Sequence, residues 1–577
     1  MRIAPPDPFR VPGHGRSDAA VRLIALGVLV LGLVNLWSAL LAHAPDRHRF
    51  LHETVHMPLV VQHASRTIVA LFGLGLILLA RSLQRHKRQA WWIAVFLAVT
   101  SPFPHLAKGL DYEEAIISLV FGLVLVVFRH AFYAENDRPS ARQGILAALS
   151  LFGIAAVYGP VGYYLLRAKF KPTFTWDRAV KQTTHQVFFY PVVRALAPRR
   201  DTPRAYWFDN SLQTVAVLSL TYGMLMLLRP VLPRGRQSEQ ERARARRLLE
   251  TFGGAPLAYF ALLHDKRYLF DESGDQPGWG IAYVVVGRTA VALGDPFGDP
   301  DRIGRAIAAF HSTCRRHDWS PAFYQTTAVY LEQYRESRLR SLKVGEDALL
   351  DLPTWSMKGK AFQDLRTAIN KMGRLGIVFA EFHADGGDAD TLTRMDAISE
   401  EWLLSQKGEE KTFGLGRFDP ESDLFRDSRL FVARDAETTR VLAFVSFVPI
   451  FGKGWALDLM RRGAETPNGL MEFLIASSIL LFQSEGAALL SLGLSPLAGG
   501  AIPEPGETEI ISRGRELLYQ RFNLFYGFKG LHAFKEKFGP RWEARYLIYP
   551  GETALAQTVY GIIRAHSPRG LWTFIKR

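Results

Sequence analysis

Six apolar stretches in the first 230 or so residues constrain this chain more than any other feature of its sequence. A helix of roughly 20 apolar residues crosses a membrane core about 30 Å thick. The stretches meet or approach that length, and about 340 more polar residues follow them. The sequence therefore predicts a multi-pass α-helical membrane domain followed by a large second domain. The predicted spans lie near residues 21–43, 59–80, 90–107, 112–134, 144–166 and 209–228.

Basic residues in the short connections predict how the chain is oriented in the membrane. They cluster before the first span, at 81–88 between the second and third spans, and at 234–247 after the sixth. Because such residues favour the cytoplasmic side, we expect a cytoplasmic second domain and a basic juxtamembrane linker helix at 234–250. That helix is interpreted as either a lipid anchor or a solvated linker. Two observations weaken the scheme: segment 167–209 is also basic, and prolines interrupt the third span.

The overall charge favours anionic partners. Lys and Arg number 70 against 55 Asp and Glu, a formal net charge of +15. Such a chain attracts polyanions, and both nucleic acid and anionic lipid remain open on charge alone. Cys314 is the only cysteine, which excludes an intrachain disulfide.

A metal-binding motif lies in the first predicted outer loop, where His52, Glu53 and His56 form the pattern HExxH. On a helix, histidines four residues apart share a face and can bind zinc. Pro58 follows two residues later and limits the helix, and the nearest third ligand, His63, falls inside the next span. We therefore interpret the motif as an interfacial loop and expect no metal site.

Strand and helix patterns alternate after residue 250 and predict an α/β domain. A hairpin at 281–293 turning near Gly287, a GDPFGDP loop, a helix near 301–316 and a strand near 320–324 form one series. Strands at 429–434, 441–448 and 455–460, a helix at 468–485 and a strand at 488–492 form a second. Two similar tandem units are the economical interpretation. Between them, a helix near 358–374 carries basic residues suited to RNA phosphates or simply to solvent, namely Lys360, Arg366, Lys371 and Arg374.

The second half has no Walker loop, no GxGxxG after a strand and no GxSxG elbow. Its most informative residue is Asp458 in WALDLM, since strand alternation points this carboxylate into a cleft or the core. Arg461 and Arg462 follow it. The sequence alone allows either a structural Asp–Arg pair or a substrate site.

Several segments resemble the synthase domain of the multiple peptide resistance factor family of phosphatidylglycerol lysyltransferases and alanyltransferases. The similarity covers roughly residues 250–550, and the N-terminal spans resemble the membrane half nearest the synthase. Longer family members have additional spans before this region, implicated in lipid flipping, and we expect this chain to be a short form with about six spans. The similar segments are DLMRR from Asp458, PNGLMEFLI from Pro467, LSLGLSPLAG from Leu490, FYGFKGLHAFKEKFGPRWEARYLIYP from Phe525, and GDPFG from Gly294.

This resemblance implies two tandem acetyltransferase-like (GNAT) units that move an aminoacyl group from tRNA to a glycerol hydroxyl of phosphatidylglycerol. The ester is already activated, so no cofactor is expected. The product would lower membrane charge and give resistance to cationic antimicrobial peptides at a bacterial plasma membrane. Expected partners are aminoacyl-tRNA, phosphatidylglycerol and anionic membrane lipid. The expected boundaries are 1–233 for the membrane domain, 251–388 and 389–555 for the two units, with the active site in the second, and 556–577 for a basic amphipathic tail.

Within this resemblance, Asp458 would hold the substrate amino group or accept the hydroxyl proton, Arg461 would contact a phosphate, and Ser495, in a loop after a strand, would donate to the oxyanion. Glu472 would share a helix face with Asn468 and bind the substrate ammonium. Alternatively, Asn468 is a helix N-cap and Glu472 is a solvated side chain. The remaining basic and aromatic residues would form a strip that holds the 3′ end of the tRNA. This strip comprises Tyr526, Lys529, Lys535, Lys537 and Arg545.

Alternatives remain open from the sequence. A lipid flippase or transporter with a regulatory soluble domain is one, and aminoacylation of another hydroxylated lipid is a second. An acyl-CoA acetyltransferase and a peptidoglycan peptidyltransferase fit less well, because the CoA loop is not visible and membrane spans are present. Lysine is the first expectation for the transferred amino acid and alanine the second. A lysine pocket would need a further acid, for which Asp423, Glu465 and Glu472 are candidates.

Overall fold

The computed structural model describes two compact units, which are considered separately. The N-terminal unit comprises Met1–Leu232 with Arg315–Asp318, and the C-terminal unit comprises Pro233–Cys314 with Trp319–Arg577. The described residues are 14–40, 59–134, 146, 153, 156–167, 170–171, 175–188, 199–200, 208, 211–212, 222, 238–272, 278–383, 389–405, 413, 416–496 and 528–566.

Helices make up most of the described part of the N-terminal unit. Their order is α1 (His14–Leu40), α2 (Leu59–Leu83), α3 (Arg88–Thr100), α4 (Pro102–Gly109), α5 (Tyr112–Val127) and α6 (Trp176–Phe188), with a 3₁₀ turn at Arg129–Ala131. Two short strands, β1 (Phe170–Lys171) and β2 (Arg199–Arg200), pair antiparallel. Many large apolar side chains of α1, α3 and α5 face outward, including Leu23, Trp37, Trp92, Phe96 and Leu123.

Glycines let α1 and α2 pack closely. A side chain at Gly32 would lie 2.8 Å from the carbonyl oxygen of Gly73, and one at Gly73 would lie 2.7 Å from that of Gly32. Small residues at such a crossing allow the backbones of membrane helices to approach. The close packing of α1 against α2 therefore depends on glycine at both Gly32 and Gly73.

Two segments among the described residues are long and apolar enough to cross a membrane, Ala19–Ala39 and Arg88–Ala107. Proline does not end the second segment, because Pro102 starts α4 directly after α3. The helical part of 59–80 and the helix at 112–127 are present but fall short of that test. Ten of the 23 residues of 144–166 and most of 209–228 lie outside the described residues, as does the HExxH segment.

A twelve-stranded mixed sheet forms the centre of the C-terminal unit among the described residues. Its spatial order is β3-β4-β5-β7-β14-β8-β13-β12-β11-β10-β9, with β6 paired to β4. The strands are β3 (Arg267–Phe270), β4 (Trp279–Val286), β5 (Thr289–Leu293), β6 (Phe297–Gly298), β7 (Ser320–Thr326), β8 (Arg340–Asp351), β9 (Ile377–Phe382), β10 (Arg429–Asp435), β11 (Val441–Ile450), β12 (Gly454–Arg462), β13 (Leu489–Pro496) and β14 (Arg541–Tyr549).

The helices of the C-terminal unit connect or cover these strands. They are α7 (Glu239–Phe252), α8 (Ile303–Arg316), α9 (Leu331–Glu336), α10 (Gln363–Arg374), α11 (Ala389–Ser405), α12 (Asp423–Asp427), α13 (Leu470–Ser484), α14 (Phe528–Glu536) and α15 (Glu552–His566). Short 3₁₀ turns lie at Ala258–Leu262, Pro300–Arg302 and Lys360–Phe362. The predicted α/β class, the hairpin at Gly287 and the elements predicted between 429 and 492 are confirmed.

The sheet repeats one motif. In the first half, β3, β4 and β5 form an antiparallel meander, α8 follows, and β7 returns parallel to β5. In the second half, β10, β11 and β12 form the meander, α13 follows, and β13 returns parallel to β12. This repeat is the arrangement that two tandem units require.

The two halves exchange strands at the centre of the sheet. Strand β8 follows the first motif but pairs with β13 of the second. Strand β14 follows the second motif but pairs with β7 of the first. The two exchanged strands also pair with each other along Arg340–Leu349 and Arg541–Tyr549. The halves therefore share one continuous sheet.

Two terminal segments of this unit make contacts that were not predicted. In α7, Arg242 pairs with Asp423 and Arg246 pairs with Asp427, so two of the linker arginines bind protein carboxylates instead of remaining solvated or contacting lipid. In α15, Ile562 is fully buried in the same core as Leu547. The described start of the tail is therefore a core helix, and residues 567–577 lie outside the described part.

Aromatic packing around Phe482 should make a large contribution to stability. Its ring lies 5.1 Å from that of Phe447 and 5.3 Å from that of Trp455, and its side chain is fully buried. We expect Phe482→Ala to lower the free energy of unfolding by about 3–5 kcal/mol, because it leaves a cavity in the core. Urea unfolding of the full chain in detergent, followed by tryptophan fluorescence, measures the change. Leu480→Ala, at an exposed position of α13, is the control; equal losses in both variants would contradict this packing.

Candidate functional site

Two parallel strands of the second half diverge and open a wedge in the sheet. Strands β12 and β13 pair only along Gly454–Ala456 and Leu489–Ser491, after which β12 continues along β11 and β13 along β8. In the first half, β5 and β7 stay paired as far as Leu293 and Tyr324, the last residues of their pairing. The Gly294 N–H then donates to the carbonyl oxygen of Tyr324 at 2.8 Å. Among the described strands, the second motif is thus the one that opens, and the wedge is lined by Leu457–Arg462 and Leu492–Pro496.

A β-bulge on one side of the wedge changes the direction of its side chains. Between Val445↔Met460 and Phe447↔Leu457, one residue of β11, Ser446, faces two residues of β12. The Leu459 N–H donates to Ser446 Oγ at 3.0 Å in place of a regular ladder bond. Bulges of this kind often re-aim side chains next to active sites.

The bulge places Asp458 and Arg461 on the same face of the sheet. In a regular strand, residues three apart point to opposite faces. Here Leu457 and Met460 pack into the core beneath α13, whereas Leu459 packs with Phe444 on the opposite face. Arg461 lies on that same face, since its guanidinium stacks 5.0 Å from the ring of Trp402 in α11. An anionic and a cationic group therefore share one side of the wedge.

The carboxylate of Asp458 is held in place by backbone. The Gly416 N–H donates to Asp458 Oδ1 at 2.6 Å, and the side chain is 9% exposed. A side chain at position 416 would overlap Asp458 Oδ2 and Leu424, so glycine is required for this approach. The predicted cleft or core position of Asp458 is confirmed as a buried one.

Ser495 lies on the other side of the wedge. It belongs to β13 itself, opposite Glu346 of β8, and not to a loop after the strand as predicted. Its side chain is fully buried, and its Oγ has no hydrogen-bond partner among the described residues. Burying an unpaired hydroxyl is unfavourable, so this oxygen is a candidate contact for a bound group.

A buried polar cluster, the Asp347 cluster, supports β13 from behind. Asp347 Oδ1 accepts from Ser491 Oγ at 2.8 Å, and Asp347 Oδ2 pairs with Arg545 at 2.9 Å. The Gly493 N–H in turn donates to Ser491 Oγ at 3.0 Å. Lys535 Nζ donates to the carbonyl oxygens of Gly493 and Leu494 at 2.8 and 2.9 Å. The cluster therefore fixes the second bulge, at Leu492–Gly493, where Gly493 has a φ of +80°.

The predicted basic strip for the tRNA end is wrong for Lys535 and Arg545. Lys535 and Arg545 are buried within the Asp347 cluster, and Lys537 forms an ion pair with Glu472 at 2.8 Å. Buried and paired cations cannot form an open surface for phosphates. Lys529 lies in α14, but its side chain is outside the described part, as is all of Tyr526.

Two of the three acids considered for an ammonium pocket already have partners. Glu472 binds Lys537, and Asp423 binds Arg242, whose hydrogen bond lowers the pKa of the Asp423 carboxyl. Glu465 is exposed. Asn468 does not cap the helix, since Gly469 occupies the N-cap of α13 with a φ of +94°; the Asn468 carbonyl instead accepts from Lys371 at 3.1 Å. None of these acids forms a preformed lysine pocket with Asp458 in the described structure.

The basic helix near 358–374 is confirmed as α10 with its preceding 3₁₀ turn. Lys360 and Arg374 are exposed, whereas Arg366 donates to the carbonyl oxygens of Met357 and Gly359. Arg366 and Lys371 thus stabilise loops. Only part of the predicted phosphate-binding face is available for an external partner.

The GDPFG motif has a structural role in the first half. Asp295 accepts from the Thr327 N–H and Oγ1 at 2.8 Å each and from the Tyr334 hydroxyl at 3.0 Å. Burial raises the pKa of Asp295, opposed by these hydrogen bonds. At the position where strands β12 and β13 of the second half diverge, the first half is therefore closed by the loop whose Asp295 carboxylate binds Thr327 and Tyr334.

Four residues of the site escaped prediction from the sequence. The backbone N–H of Gly416 binds Asp458, and the ring of Trp402 stacks on Arg461. The hydroxyl of Ser446 accepts the Leu459 N–H and so holds the bulge that orients both side chains. Asp347 organises the buried cluster from β8, a strand that was not predicted. A serine in an otherwise apolar strand, AFVSFV, was the one available signal for the bulge.

Lys535 should give the unfolding free energy a specific pH dependence. Burial lowers the pKa of its ammonium to about 8, partly opposed by Asp347. Below about pH 8 the Lys535 ammonium is protonated in both the folded and the unfolded protein, so folding has to bury its charge and the free energy of unfolding is lowered by that cost. Between about pH 8 and 10.5 Lys535 loses its proton in the folded protein but keeps it in the unfolded chain, so the free energy of unfolding rises with pH.

We expect the unfolding free energy of the wild type to increase relative to that of Lys535→Met between pH 7 and 10. Urea titrations of the full chain in detergent at each pH measure the difference. Lys453→Met, at an exposed turn position, should follow the wild type. A constant difference between wild type and Lys535→Met would show that Lys535 does not titrate in this range.

Comparisons with known proteins show what this chain is similar to. The curated phosphatidylglycerol lysyltransferase of Bacillus subtilis is 27% identical over 515 residues, covering 88% of this chain and 56% of that protein. The Lysylphosphatidylglycerol biosynthesis bifunctional protein LysX of Mycolicibacterium gilvum is 27% identical over 82% of this chain and 43% of its own length. The chain thus spans about half the length of the curated relatives it matches.

Solved structures resemble the C-terminal unit. The structure of L-PGS from Bacillus licheniformis has 27% identity and a TM-score of 0.51, covering 59% of this chain and 99% of that one. The C-terminal domain of a putative lysylphosphatidylglycerol synthetase from Agrobacterium fabrum has 29% identity and a TM-score of 0.50, covering 57% and 97%. A family model described as "Phosphatidylglycerol lysyltransferase, C-terminal" matches residues 246–549, more than half of the 577 residues, with the wedge inside the match. The chain therefore belongs to the phosphatidylglycerol lysyltransferase C-terminal family.

Proposed function

We propose that this protein is a membrane aminoacyltransferase that moves an amino acid from aminoacyl-tRNA to a glycerol hydroxyl of phosphatidylglycerol. Membership of the family and the names of the relatives support the reaction class and the lipid. The observation that carries the proposal is the wedge, in which a bulge brings Asp458 and Arg461 to one face of β12 while β13, on the other side of the wedge, carries the unpaired hydroxyl of Ser495.

The reaction is an ester exchange. The lipid hydroxyl oxygen attacks the carbonyl carbon of the aminoacyl ester, and a new C–O bond forms while the bond to the tRNA ribose oxygen breaks. The proton lost by the lipid hydroxyl is balanced by the proton gained by the ribose oxygen. Because one ester replaces another, the protein's task is to position the two substrates and to stabilise the oxyanion.

The residues at the wedge suit these tasks. Asp458 accepts the hydroxyl proton or binds the substrate ammonium, and the Gly416 N–H holds its carboxylate for either role. Arg461, stacked on Trp402, presents a fixed cation to a phosphate. Ser495 Oγ donates to the developing oxyanion.

The setting of the reaction follows from the two substrates. A lipid acceptor and a tRNA donor meet at the cytoplasmic face of a bacterial plasma membrane, so we infer that the N-terminal helices are membrane-embedded and the C-terminal unit is cytoplasmic. Lysine is the first candidate for the transferred amino acid and alanine the second. An aminoacylated product is less anionic and would reduce binding of cationic antimicrobial peptides.

Direct transfer tests the proposal. Membranes or detergent-solubilised protein with phosphatidylglycerol receive tRNA charged with radiolabelled lysine or, in parallel, alanine, and lipids are extracted. Label in phosphatidylglycerol from one of them identifies the donor. If folded protein transfers no label from a full set of charged tRNAs, the aminoacyltransferase proposal is wrong, and transport of lipid is the function to test next.

Replacing Asp458 should abolish most of the transfer. Asp458→Asn keeps an oxygen that can accept from the Gly416 N–H but removes the charge, so we expect the rate to fall by at least about 100-fold. Single-turnover transfer from charged tRNA measures the rate. Glu437→Gln, a carboxylate-to-amide change in an exposed turn of the same half, should retain activity; similar losses in both variants would contradict a role for Asp458.

The same variant separates the two roles of Asp458. A tRNA carrying the matching α-hydroxy acid lacks the ammonium. If Asp458 binds the ammonium, the wild type will strongly prefer the aminoacyl donor and Asp458→Asn will lose that preference. If Asp458 accepts the hydroxyl proton, the variant will lose activity equally with both donors.

Lys360, in the 3₁₀ turn before α10, and Arg374, at the end of α10, are exposed and are proposed to contact the tRNA backbone. We expect the double variant Lys360→Glu/Arg374→Glu to raise the KM for charged tRNA at least about 10-fold with a small change in kcat, and to lower the salt dependence of binding. Arg434→Glu/Arg440→Glu, on the exposed β10–β11 turn, is the matched control. An unchanged KM in the α10 variant would place the tRNA elsewhere.

A further inference from the structure

The N-terminal unit brings one imidazole and two carboxylates together. His105 lies in α4, Asp111 immediately precedes α5, and Glu114 lies in its first turn. One ligand atom from each of these residues lies within 4.8 Å of the other two. Leu110 ends α4 in a left-handed conformation, with a φ of 54°, and the Asp111 N–H donates to the His105 carbonyl at 3.3 Å. This turn folds the first carboxylate back over the imidazole.

Helix α1 adds polar groups to the same place. Asn35 Oδ1 lies 3.1 Å from His105 Nε2, and Ser38 Oγ donates to Glu114 Oε1 at 2.9 Å. In the tautomer whose Nε2–H donates to this amide oxygen, the lone pair of the neutral ring is on Nδ1. Metal-binding histidines are usually oriented in this way, with the second nitrogen donating to a protein oxygen.

Further polar atoms around the cluster lack partners. Asn35 is fully buried, and its Nδ2 has no hydrogen-bond partner among the described residues. The same holds for Ser101 Oγ, one turn before His105, and for Ser118 Oγ, one turn after Glu114 on the same helix face. Unpaired buried polar atoms are unfavourable, and a hydrated ion would supply their partners.

We propose that His105, Asp111 and Glu114 bind one divalent transition-metal ion, of the Zn²⁺ or Mn²⁺ class, within the helices of the N-terminal unit. One imidazole nitrogen with two carboxylates is a donor set that suits these ions, whereas Mg²⁺ and Ca²⁺ prefer oxygen alone. Three atoms within 4.8 Å of one another always have a point that lies no more than about 2.8 Å from each of them, so shifts of under about 1 Å give normal bond lengths of about 2.0–2.2 Å to an ion there.

The site links three helices and differs from the HExxH motif. Asn35 and Ser38 of α1 hold the ligands of α4 and α5, so bound metal would tie these helices together. The charge of the ion also offsets the cost of carboxylates placed among apolar helices. The inference does not depend on the transferase proposal, since it concerns residues of the other unit.

Metal binding to the intact chain tests the site. Full-length protein in detergent is stripped with chelator, equilibrated with Zn²⁺ or Mn²⁺, dialysed and analysed for metal by mass spectrometry. We expect about one ion per chain in the wild type and less than about a tenth of that in His105→Ala and Glu114→Gln. Asn35→Ala, which leaves all three ligands, should weaken binding about 10–100-fold.

Two controls make the outcome decisive. His130→Ala, at an exposed position after α5, should bind like the wild type, and so should His52→Ala/His56→Ala, which removes the HExxH histidines. Gel filtration and thermal unfolding without metal check the fold of each variant. If His105→Ala fails to fold, the metal affinity of Asn35→Ala relative to that of the wild type is the deciding measurement. The proposal is overturned if folded wild-type protein retains no metal, or if binding survives Asn35→Ala and His105→Ala but is lost with the HExxH histidines.

Discussion

The buried ion pair between Arg545 of β14 and Asp347 of β8 lies where the two halves of the sheet exchange strands. Its nitrogen and oxygen are 2.9 Å apart, and the side chains are only 3% and 4% exposed. Removing one partner of such a pair typically costs about 3–5 kcal/mol, because the other charge is left buried. The second oxygen of Asp347 holds Ser491, which in turn holds the backbone of Gly493. One interaction therefore supports both the shared sheet and the edge of the wedge.

The wedge itself depends on two irregularities in otherwise regular strands. The bulge at Ser446 turns Asp458 and Arg461 to one face, and the bulge at Leu492–Gly493 leaves two carbonyl oxygens for Lys535. The first half of the sheet has the same strand order but stays closed, with Asp295 tied to Thr327 and Tyr334. The repeated fold thus has one half with an open wedge and one that stays closed, and in the proposed function the open half is the one that receives the substrates.

The two units serve different physical requirements. A buried cluster behind β13 is suited to holding reacting groups in place, which is the main demand of the proposed ester exchange. The N-terminal helices, with their outward apolar side chains and close glycine crossing at Gly32 and Gly73, are suited to lipid surroundings. Polar groups among those helices require a specific explanation, and the proposed metal ion supplies one for His105, Asp111 and Glu114.

Much of the local structure could be predicted from residue patterns. Gly287 predicted its hairpin, and the strands and helix between 429 and 492 followed from their periodicity, because those features depend on near neighbours. The central strands β8 and β14 were not assigned, since their partners are distant in the chain. For the same reason Lys535 and Arg545 were expected on the surface, although their carbonyl and carboxylate partners bury them.

The sequence by itself determined the division into an apolar helical part and an α/β part, the inward position of Asp458 and the resemblance to the lysyltransferases. Only the tertiary structure decided that Asp458 and Arg461 share a face, since alternation in a regular strand puts residues three apart on opposite sides. The hydroxyl of Ser446, on a neighbouring strand, accepts the Leu459 N–H and permits the extra residue. A bond between strands, and not the order of residues within one strand, therefore sets the geometry of the candidate site.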